Sequence, residues 1–359
     1  FTVWVKFKVV EARLEGIARH LGEVRDESYG DSVRTRKAEL ESASVVIWTT
    51  TPWTIPSNKA VVFGTDIAYG LYEVTGQPEE CWARIGEKYI LADKLAADVM
   101  TRARLDDTMY RRLCDVDPSA ITGVTHPLAN TPDSKGEWDE PRDFRAADFV
   151  TDEEGTGFVH CAPSHGMEEY ELFRDLGMLD KVITYNVEND GKFRDDLPFF
   201  GGQYILSRKG GEGTANKAVI DKLVETGGLL ARGKIKHSYP HSWRSKAPII
   251  YRNTPQWFAA IDRPVGDGQD EYGTTIRERA LTEIDNVKWT PRSGRNRLYS
   301  MMESRPDWVL SRQRAWGVPL TCFVRKGALP TDEDYLLRNA AVNARVLEAF
   351  ETEGADAWY

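Results

Sequence analysis

Residues 1–10 alternate between apolar and polar side chains, which is typical of a half-buried strand. Short apolar runs at 45–48, 60–63 and 69–74 predict further strands, because Gly and Asp residues separate them. Residues 92–105 are the best helix candidate in this half of the chain. Short strands therefore dominate up to about residue 205, which predicts a β-rich, barrel-like α+β domain.

The pattern changes after residue 205. Residues 214–228 combine a plausible N-cap, an apolar stripe at positions 215, 219, 220 and 223, and a glycine stop, which together predict an amphipathic helix. Beyond it the chain is rich in Trp, Pro and Arg up to Pro319. We therefore predict a β-rich domain over residues 1–205 and a mixed α/β segment over residues 206–359, with a boundary between 205 and 230.

Composition narrows the function only slightly. The chain has 359 residues, 41% of them hydrophobic, which is enough for two or more packed units. The chain contains 47 Lys and Arg residues and 56 Asp and Glu residues, so its net charge is −9. A negative net charge argues against binding nucleic acid by bulk charge. A local basic face stays open, since arginines crowd between residues 292 and 314, although scattered surface arginines would give the same pattern.

Cysteine usage and hydropathy bear on the compartment. Cysteines at 81, 114, 161 and 322 lie far apart without a C-x-x-C pair, which favours a reducing compartment. No run approaches the length needed to span a bilayer. The chain starts at Phe1 rather than Met and directly in a strand-like pattern, so we expect an excised fragment whose lack of a signal peptide says little about targeting.

Three adjacent threonines follow one predicted strand. Residues 45–48 would deliver Thr49, Thr50 and Thr51 to the end of that strand, where Pro52 breaks the ladder. Hydroxyls both donate and accept hydrogen bonds, so this cluster can hold an ester carbonyl, a ribose hydroxyl or a water. Ordinary β propensity is the alternative explanation. The string that follows, Pro-Trp-Thr-Ile-Pro-Ser-Asn, makes the motif far more specific.

A second polar stretch covers residues 155–169, Gly-Thr-Gly-Phe-Val-His-Cys-Ala-Pro-Ser-His-Gly-Met-Glu-Glu. Its glycines, Gly157 among them, permit backbone geometry closed to other residues and allow a ligand to approach closely. Residues 158–160 predict a short strand that aims His160 to one side. For His160 the residues alone leave three roles open: a base, a pocket wall or a core residue.

A helix follows this stretch. Ser164 is a reasonable N-cap for a helix over 167–176, which puts Glu169 in its first turn. An acid at that place either interacts with the helix dipole or binds a cationic α-amino group. The pair His160 and His165 is a weak metal candidate without a third ligand, so we expect no metal site, and a structural role is the better explanation of His165.

Other catalytic arrangements are missing from the sequence. There is no Ser/His/Asp set with a nucleophile elbow, and Cys161 has no activating context. No phosphate-binding G-x-x-x-x-G-K-[ST] motif is present, and residues 210–213 predict a flexible turn rather than a phosphate cradle. A pocket of hydroxyls, one imidazole and one acid therefore suits an amino acid ester and a water molecule.

Residues 48–58 resemble the threonine-rich signature of the editing (CP1) domain of bacterial-type isoleucyl-tRNA synthetases, which are class I aminoacyl-tRNA synthetases. The related valyl and leucyl enzymes carry Arg at the place of Thr51 and an acidic residue at the place of Trp53, so these two residues favour the isoleucyl branch. Residues 155–170 are similar to the second editing motif of the family. The resemblance extends to residues 237–244, 254–258 and 305–319, the last of them similar to the segment that re-enters the catalytic domain.

The resemblance implies a fragment of an isoleucine–tRNA ligase. Residues 1–205 would form the editing domain, and residues 206–359 would lead back to a Rossmann-type catalytic domain. The ATP-binding motifs HIGH and KMSKS are absent, so we expect no amino acid activation and no cofactor here; ATP and Mg²⁺ would belong to the parent enzyme. The expected partners are the acceptor end of tRNA(Ile) and a valine ester or adenylate, in the cytoplasm and without a membrane.

The family also implies roles for individual residues. The catalytic residues would be Thr50, Thr51 and Glu169. The substrate-binding residues would be Thr49, Trp53, Thr54, Asn58, Gly157 and His160.

Within this set, Thr50 and Thr51 would bind the terminal adenosine, the ester or the water, and Thr49 would support them. His160 would exclude isoleucine by bulk, in a side-chain pocket whose wall Trp53 and Thr54 complete. Glu169 stands where the family has Asp and would hold the substrate ammonium with a side chain one methylene longer. A ribose hydroxyl of the tRNA would help to position the water.

The leading hypothesis is an esterase that removes valine from tRNA(Ile), and also from valyl-adenylate. A valyl- or leucyl-type editor is disfavoured by Thr51. A non-catalytic tRNA-binding module with a degenerate pocket finds support only in Glu169. An unrelated β-rich hydrolase would require four motif matches to be coincidental.

Overall fold

A single long strand, β1 (Thr2–Ala12), lies at the centre of a ten-stranded sheet in the computed structural model of the chain. The structure describes residues 1–15, 17, 29–235, 238–266, 271–312, 317–328 and 332–358. On one edge β1 pairs with β2 (Ser44–Thr49). On its other edge it pairs first with β10 (Leu229–Gly233) and then with β7 (Ile121–Thr125). One strand therefore joins segments from both ends of the first 233 residues.

The first half of β1 is buried on both faces, whereas the alternating pattern predicts a half-buried strand. Val3, Val5 and Phe7 face the main hydrophobic core. Trp4 faces a second core that includes side chains of the helix over Asp93–Arg102. Lys6 lies on this second face and donates from Nζ to Glu87 Oε1 at 2.9 Å, which satisfies its charge.

The sheet is mixed, as the predicted α+β class allows. Its other strands are β3 (Ala60–Phe63), β4 (Tyr69–Val74), β5 (Lys88–Ala92), β6 (Tyr110–Val116), β8 (Arg142–Ala146) and β9 (Phe158–Cys161). Their order is β6-β4-β5-β2-β1-β7-β8-β3-β9, with β10 on β1. The pairs β2/β5 and β3/β8 are parallel and the others antiparallel.

The sheet is open rather than closed into a barrel, because its order ends at β6 and β9 and no ladder within the described ranges joins these two strands. The edge strand β6 carries exposed charges. Arg111 pairs with Glu73 on β4, and Arg112 pairs with Asp93 and Asp115. Charged side chains along an edge oppose pairing with another chain, so β6 can end the sheet without a further strand.

Five α-helices have both ends within the described residues of the first 253 positions. They are α1 (Tyr29–Ser42), α2 (Asp93–Arg102), α3 (Met167–Asp175), α4 (Leu179–Val182) and α5 (Ala215–Glu225). The helices predicted over 92–105 and 214–228 are thus confirmed as α2 and α5. The buried residues of α5 are those of the predicted stripe, at positions 215, 219, 220 and 223. Residues 22–42 form a hydrophilic, charged segment of the sequence, and of this segment the structure describes residues 29–42.

The chain divides into two compact units, Phe1–Asn253 and Thr254–Tyr359. Because β10 and α5 belong to the first unit, the predicted boundary at 205/206 falls inside it, and a functional division at that point stays a prediction. His237 and residues 313–316, which carry part of the family resemblance, lie outside the described residues. Within the described ranges no helix is long and apolar enough to cross a bilayer.

In the described part of the second unit there are two small sheets and three α-helices. The strand pairs are β11 (Phe258–Ala259) with β14 (Trp308–Val309), and β12 (Pro264–Gly266) with β13 (Glu271–Thr275). The helices are α6 (Ile276–Asn286), α7 (Ser293–Glu303) and α8 (Ala340–Glu353). This composition agrees with the mixed α/β segment predicted for the end of the chain.

Candidate active site

The three threonines stand at the end of β2, as the sequence predicts. Thr49 is the last residue of β2 and is buried, whereas Thr50 and Thr51 are half-buried. A 3₁₀ helix over Pro52–Ser57 follows, and all its residues are buried. Because proline lacks an N–H, Pro52 cannot continue the ladder, and the chain turns at this point.

A network of hydroxyls links the two sides of this turn. Thr49 Oγ1 accepts a hydrogen bond from the backbone N–H of Thr51 at 3.1 Å and lies 3.2 Å from Thr51 Oγ1. Thr54 Oγ1 donates to the carbonyl oxygen of Thr51 at 2.9 Å and lies 3.5 Å from Thr51 Oγ1. The Thr51 hydroxyl therefore lies within hydrogen-bond distance of two other hydroxyls, those of Thr49 and Thr54.

His160 supports this network from β9, where it lies opposite Val61 of β3. Its Nε2 is 3.0 Å from Thr54 Oγ1, and its Nδ1 is 3.3 Å from Asn58 Nδ2. Since the Thr54 hydroxyl proton goes to the Thr51 carbonyl, His160 Nε2–H must donate to Thr54 Oγ1. Asn58 Nδ2 then donates to the lone pair of Nδ1. Both ring nitrogens are satisfied in the neutral form.

The environment of His160 disfavours its charged form. Burial lowers the pKa of His160 from 6.5 to about 4, and the electrostatic interaction between the two imidazoles of His160 and His165 lowers it further. With its basic lone pair occupied, His160 is unsuited to act as a general base. Of the three roles that the sequence leaves open, the geometry supports a buried residue that positions Thr54.

A cavity of about 280 Å³ opens beside the threonines. Thr50, Thr51 and Trp53 form one wall of it. The remaining lining residues are Phe1, Ile205, Leu206, Gly210, Gly211, Glu212, Asn216, Tyr239, His241 and Pro248. Two of the predicted catalytic residues thus share a cavity with segments that the sequence analysis did not connect to them. His160, Gly157 and Glu169 are not among the lining residues of this cavity.

The 3₁₀ helix is fixed by two aromatic side chains that the sequence analysis missed. His126 Nδ1 accepts from the N–H of Leu128 at 3.1 Å, so its Nε2–H donates to the Ile55 carbonyl at 2.9 Å. Trp138 Nε1–H donates to the Pro56 carbonyl at 2.9 Å. The two rings stack with centroids 5.8 Å apart. The Ile55 carbonyl also accepts from the N–H of Asn58 at 2.9 Å, so His126 adds a second donor there, whereas Trp138 supplies a side-chain donor to the Pro56 carbonyl.

Trp138 lies in the segment 131–143, for which the composition predicts an exposed loop. Most of this segment is exposed, but Trp138 is fully buried. A tryptophan among Pro, Asp, Glu and Gly is the signal that could have revealed an anchored loop, since so large an apolar ring is rarely left in water.

His165 has the structural role that the sequence favours. Ser57 Oγ accepts from Asn186 Nδ2 at 3.0 Å and therefore donates to His165 Nε2 at 3.1 Å. His165 Nδ1–H then donates to the Tyr251 carbonyl at 2.9 Å. Its ring meets Trp53 edge-on, with centroids 4.8 Å apart. Burial lowers the pKa of His165 to about 4, so the ring is a neutral brace behind Trp53.

Glu169 lies in the first turn of α3, as predicted, but its N-cap is Gly166 and not Ser164. Ser164 instead accepts from the N–H of Thr184 at 2.7 Å. The Glu169 carboxylate folds back over Gly166, where an added Cβ would overlap it. Burial raises the pKa of Glu169, and the charge of Glu168 adds to this effect. Within the described residues no hydrogen bond joins Glu169 to the threonines.

Gly157 has a positive φ of 82°, which favours glycine. Its carbonyl accepts from Tyr69 Oη at 2.7 Å, and a Cβ on it would overlap the side chain of Ala92. The close approach that the sequence predicts at Gly157 is therefore made by the protein itself, and its role in substrate binding stays a prediction. Among the described residues no group of three or more His, Cys, Asp or Glu side chains could hold a metal ion.

Comparison with known proteins identifies the family of the chain. A family model described as tRNA synthetases class I (I, L, M and V) matches residues 23–358. The chain belongs to this family. The resemblance in the threonine and histidine motifs is thereby confirmed at the level of the class I synthetases.

Individual members of the family are similar along the whole chain. The isoleucine–tRNA ligase of Ruegeria pomeroyi is 73% identical over 360 residues, which cover 100% of this chain and 34% of the relative. The isoleucine–tRNA ligase of Bradyrhizobium diazoefficiens is 47% identical over 329 residues, which cover 89% of this chain and 32% of the relative. The chain thus spans about a third of the length of the curated relatives that it matches.

Two solved structures match distantly. The GlLeuRS-CP1 crystal structure gives a TM-score of 0.43 at 13% identity and covers 66% of this chain and 100% of its own. The editing domain of the cytosolic leucyl-tRNA synthetase of P. falciparum gives a TM-score of 0.35 at 11% identity and covers 62% of this chain and 79% of its own.

Proposed function

We propose that the threonine-lined cavity hydrolyses the ester between valine and tRNA(Ile). The observation that carries this proposal is that Thr51 lines the cavity and that its hydroxyl lies within hydrogen-bond distance of the Thr49 and Thr54 hydroxyls. Membership of the synthetase family and the similarity to isoleucine–tRNA ligases support the choice of substrate.

The chemistry follows from the groups that are present. A water adds to the ester carbonyl, the bond from the acyl carbon to the ribose oxygen breaks, and the ribose oxygen takes a proton, so free valine and tRNA(Ile) result. A hydroxyl that can either donate or accept suits Thr51 to bind the carbonyl oxygen as negative charge develops on it. Because both nitrogens of His160 are occupied, the water would be oriented by Thr50 and by the neighbouring ribose hydroxyl of the tRNA.

Selection against isoleucine would come from size. An apolar pocket discriminates weakly against a substrate that lacks one methylene, and synthetases solve this problem with a second, hydrolytic site that excludes the larger amino acid. In this proposal Trp53, which contacts His165, forms the wall that limits the side chain, and Thr54, bonded to His160, fixes the neighbouring Thr51. Valyl-adenylate, which carries the same acyl group, would be a second substrate.

The partners of the whole enzyme are part of the same proposal. The acceptor end of tRNA(Ile) would enter the cavity in the cytoplasm, where tRNAs are charged. Activation of isoleucine with ATP and Mg²⁺ would be carried out by the remaining two thirds of a full-length ligase, so this chain would need no cofactor for ester hydrolysis.

The test is deacylation of valyl-tRNA(Ile) and isoleucyl-tRNA(Ile) by the chain and by Thr51→Val. Wild type should release valine only. Thr51→Val should slow this release by about 10²-fold, the usual effect of removing one donor to a developing oxyanion. Thr101→Val is the matched control, since Thr101 is exposed on α2 and its hydroxyl donates to the Ala97 carbonyl of the same helix.

Two results would count against the proposal. Equal release of both amino acids would exclude size selection at this cavity. Binding of tRNA(Ile) by a folded chain that hydrolyses neither ester would favour the non-catalytic binding module.

A further inference from the structure

A second cavity, of about 430 Å³, has a lining rich in arginine. Its charged lining residues are Arg84, Arg102, Arg104 and Arg232 together with Glu79 and Glu80. We call it the arginine cavity. Because the whole chain carries a net charge of −9, overall composition does not explain a cavity in which arginines outnumber acids. Such a local excess of positive charge favours an anionic ligand.

The arginines of this cavity differ in their partners. Arg102 forms an ion pair with Asp98, and Arg104 forms one with Glu80. The other two arginines form no ion pair with an Asp or Glu in the described part of the chain, and both are exposed. Two positive charges are therefore left for a ligand, which can reach them without a rearrangement of the fold.

Contacts with the protein hold Arg84 and Arg232 in place without neutralising them. Arg84 Nη1 donates to the Cys81 carbonyl at 2.9 Å and to the Ala83 carbonyl at 3.2 Å. The Arg232 guanidinium lies over the ring of Trp82, 5.4 Å from its centroid. A positioned guanidinium that keeps its charge is suited to bind phosphate, because its planar N–H groups match two phosphate oxygens.

The register of the sheet places the arginine cavity close to the threonines. Arg232 on β10 and Thr49 on β2 lie opposite the same residue of β1, Val3, on its two edges. Since neighbouring strands are about 4.8 Å apart, the Cα atoms of Arg232 and Thr49 are separated by roughly 10 Å. A single extended ligand can therefore contact both places.

A third cation lies near the rim of the threonine cavity. Lys234 is exposed, and its Nζ lies over the ring of Phe1, 5.9 Å from the centroid. Phe1 itself lines the threonine cavity. No Asp or Glu within the described ranges forms an ion pair with Lys234. We call Arg84, Arg232 and Lys234 the cationic path, because they lead from the arginine cavity to the threonine cavity.

A row of separated cations suits a polyanion better than a single small anion, since each cation can bind a different charge of the same ligand. An RNA strand carries one phosphate for each nucleotide. The proposed substrate of the threonine cavity is an ester at the 3′ end of such a strand, so the preceding phosphates must pass near the rim of that cavity.

We infer that the cationic path binds phosphates of the RNA strand whose 3′ end enters the threonine cavity. This inference rests on the proposed function, because that function supplies the strand. Contacts with phosphates position a strand but do not read its bases, so the cationic path would act on any strand of the same backbone geometry.

The first experiment measures binding of uncharged tRNA(Ile) by fluorescence anisotropy at several salt concentrations. Arg84→Gln and Arg232→Gln should each weaken binding by about 2- to 5-fold, and the double variant by about 5- to 20-fold. Each substitution should also reduce the slope of log K against log salt by about 0.7, the value for one phosphate of a single strand. Arg34→Gln is the matched control, since Arg34 is exposed on α1 and pairs with Asp31.

A modified RNA locates the contact on the strand. In tRNA(Ile) whose last three phosphodiesters are methylphosphonates, these groups carry no charge. Wild type should bind this RNA about 5- to 20-fold more weakly than unmodified tRNA(Ile), whereas the double variant should bind both within about twofold, because it has already lost the same contacts. Additive losses would place the two arginines away from the 3′ strand and would overturn the inference.

Two further measurements separate charge from packing and RNA from a free nucleotide. Arg232→Lys keeps the charge and should bind tRNA(Ile) more tightly than Arg232→Gln; equal losses would show that only the contact with Trp82 matters and would overturn the role of Arg232. Binding of AMP by wild type that is lost in the double variant, with unchanged affinity for tRNA(Ile), would assign the cavity to a free nucleotide and overturn the inference.

Because the tRNA in the binding test is uncharged, its outcome does not depend on ester hydrolysis. A wild-type chain that hydrolyses neither ester, with variants that lose affinity as expected, would contradict the proposed function and support the phosphate contacts. A wild-type chain that releases valine, with variants that bind as wild type does, would overturn the inference alone. When both are correct, the double variant should raise KM for valyl-tRNA(Ile) and leave kcat within about twofold, since the phosphates are remote from the ester.

Discussion

Acid should destabilise the first unit through His160, and the size of the effect follows from its environment. The folded protein holds His160 neutral, with a pKa of about 4, whereas an exposed histidine in the unfolded chain titrates near 6.5. The unfolded chain therefore binds the proton more readily, and the free energy of unfolding falls as the pH drops below about 6.5. The loss ends near pH 4, where folded His160 takes up the proton as well.

The shift from 6.5 to about 4 corresponds to about 3 kcal/mol over the whole range, at 1.36 kcal/mol for each pKa unit. Between pH 7.5 and pH 5, about 2 kcal/mol of this should be lost. His160→Gln removes the titrating group. At pH 7.5 the variant should be less stable than wild type, because the glutamine cannot satisfy both Thr54 and Asn58. At pH 5 the difference in the free energy of unfolding between wild type and His160→Gln should be smaller by about 2 kcal/mol.

Urea unfolding at both pH values, followed by tryptophan fluorescence, measures this difference in the free energy of unfolding. His241→Gln serves as the matched histidine control, because His241 is exposed. A gap between wild type and His160→Gln that stays constant from pH 7.5 to pH 5 would refute the reasoning. It would mean that His160 is either charged in the folded protein or free to exchange its hydrogen bonds with water.

Three further substitutions, with Gly227→Ala as a control for the last of them, test the packing around the site by urea unfolding. Asn58→Ala should cost about 3 kcal/mol, since two hydrogen bonds are lost and buried partners are left unpaired; a loss below 1 kcal/mol would contradict the network. Trp138→Phe should cost about 2 kcal/mol, because the Pro56 carbonyl loses its donor, and an unchanged stability would show that water replaces the indole. Gly157→Ala should cost about 3 kcal/mol and Gly227→Ala about 1 kcal/mol, since both have positive φ but only Gly157 lacks space for a Cβ; equal losses would show that the contact with Ala92 is unimportant.

Local patterns predict much of this fold. Alternation and apolar runs identify β1 to β4, and the stripe of α5 is correct residue by residue. The position of the threonines at the end of β2 also follows from the sequence, because a proline directly after a strand must end it. The open sheet could not be predicted from local patterns, because closure into a barrel depends on whether the end strands β6 and β9 pair with each other. The exposed charges of β6 indicate an edge strand only after the strand order is known.

The candidate site is less accessible to sequence reasoning, because its parts are distant along the chain. Trp138 reaches Pro56 across 82 positions, and Asn216 reaches Trp53 across 163. No local periodicity reports such contacts. The predicted acid, Glu169, and the acid that lines the cavity, Glu212, are both compatible with the pattern, and only the tertiary structure distinguishes their surroundings.

The pairing of β1 with β10 has a consequence for synthesis on the ribosome. About 220 residues separate Ala12 at the end of β1 from Gly233 at the end of β10. At a synthesis rate of roughly 5 to 20 residues per second, β10 is made about 10 to 45 s after β1. During that interval the backbone N–H and C=O groups of β1 that β10 will pair with are available to other strands. Nascent chains should therefore recruit a chaperone to β1 until β10 emerges, and the threonine cavity, which needs α5, should form only after this release.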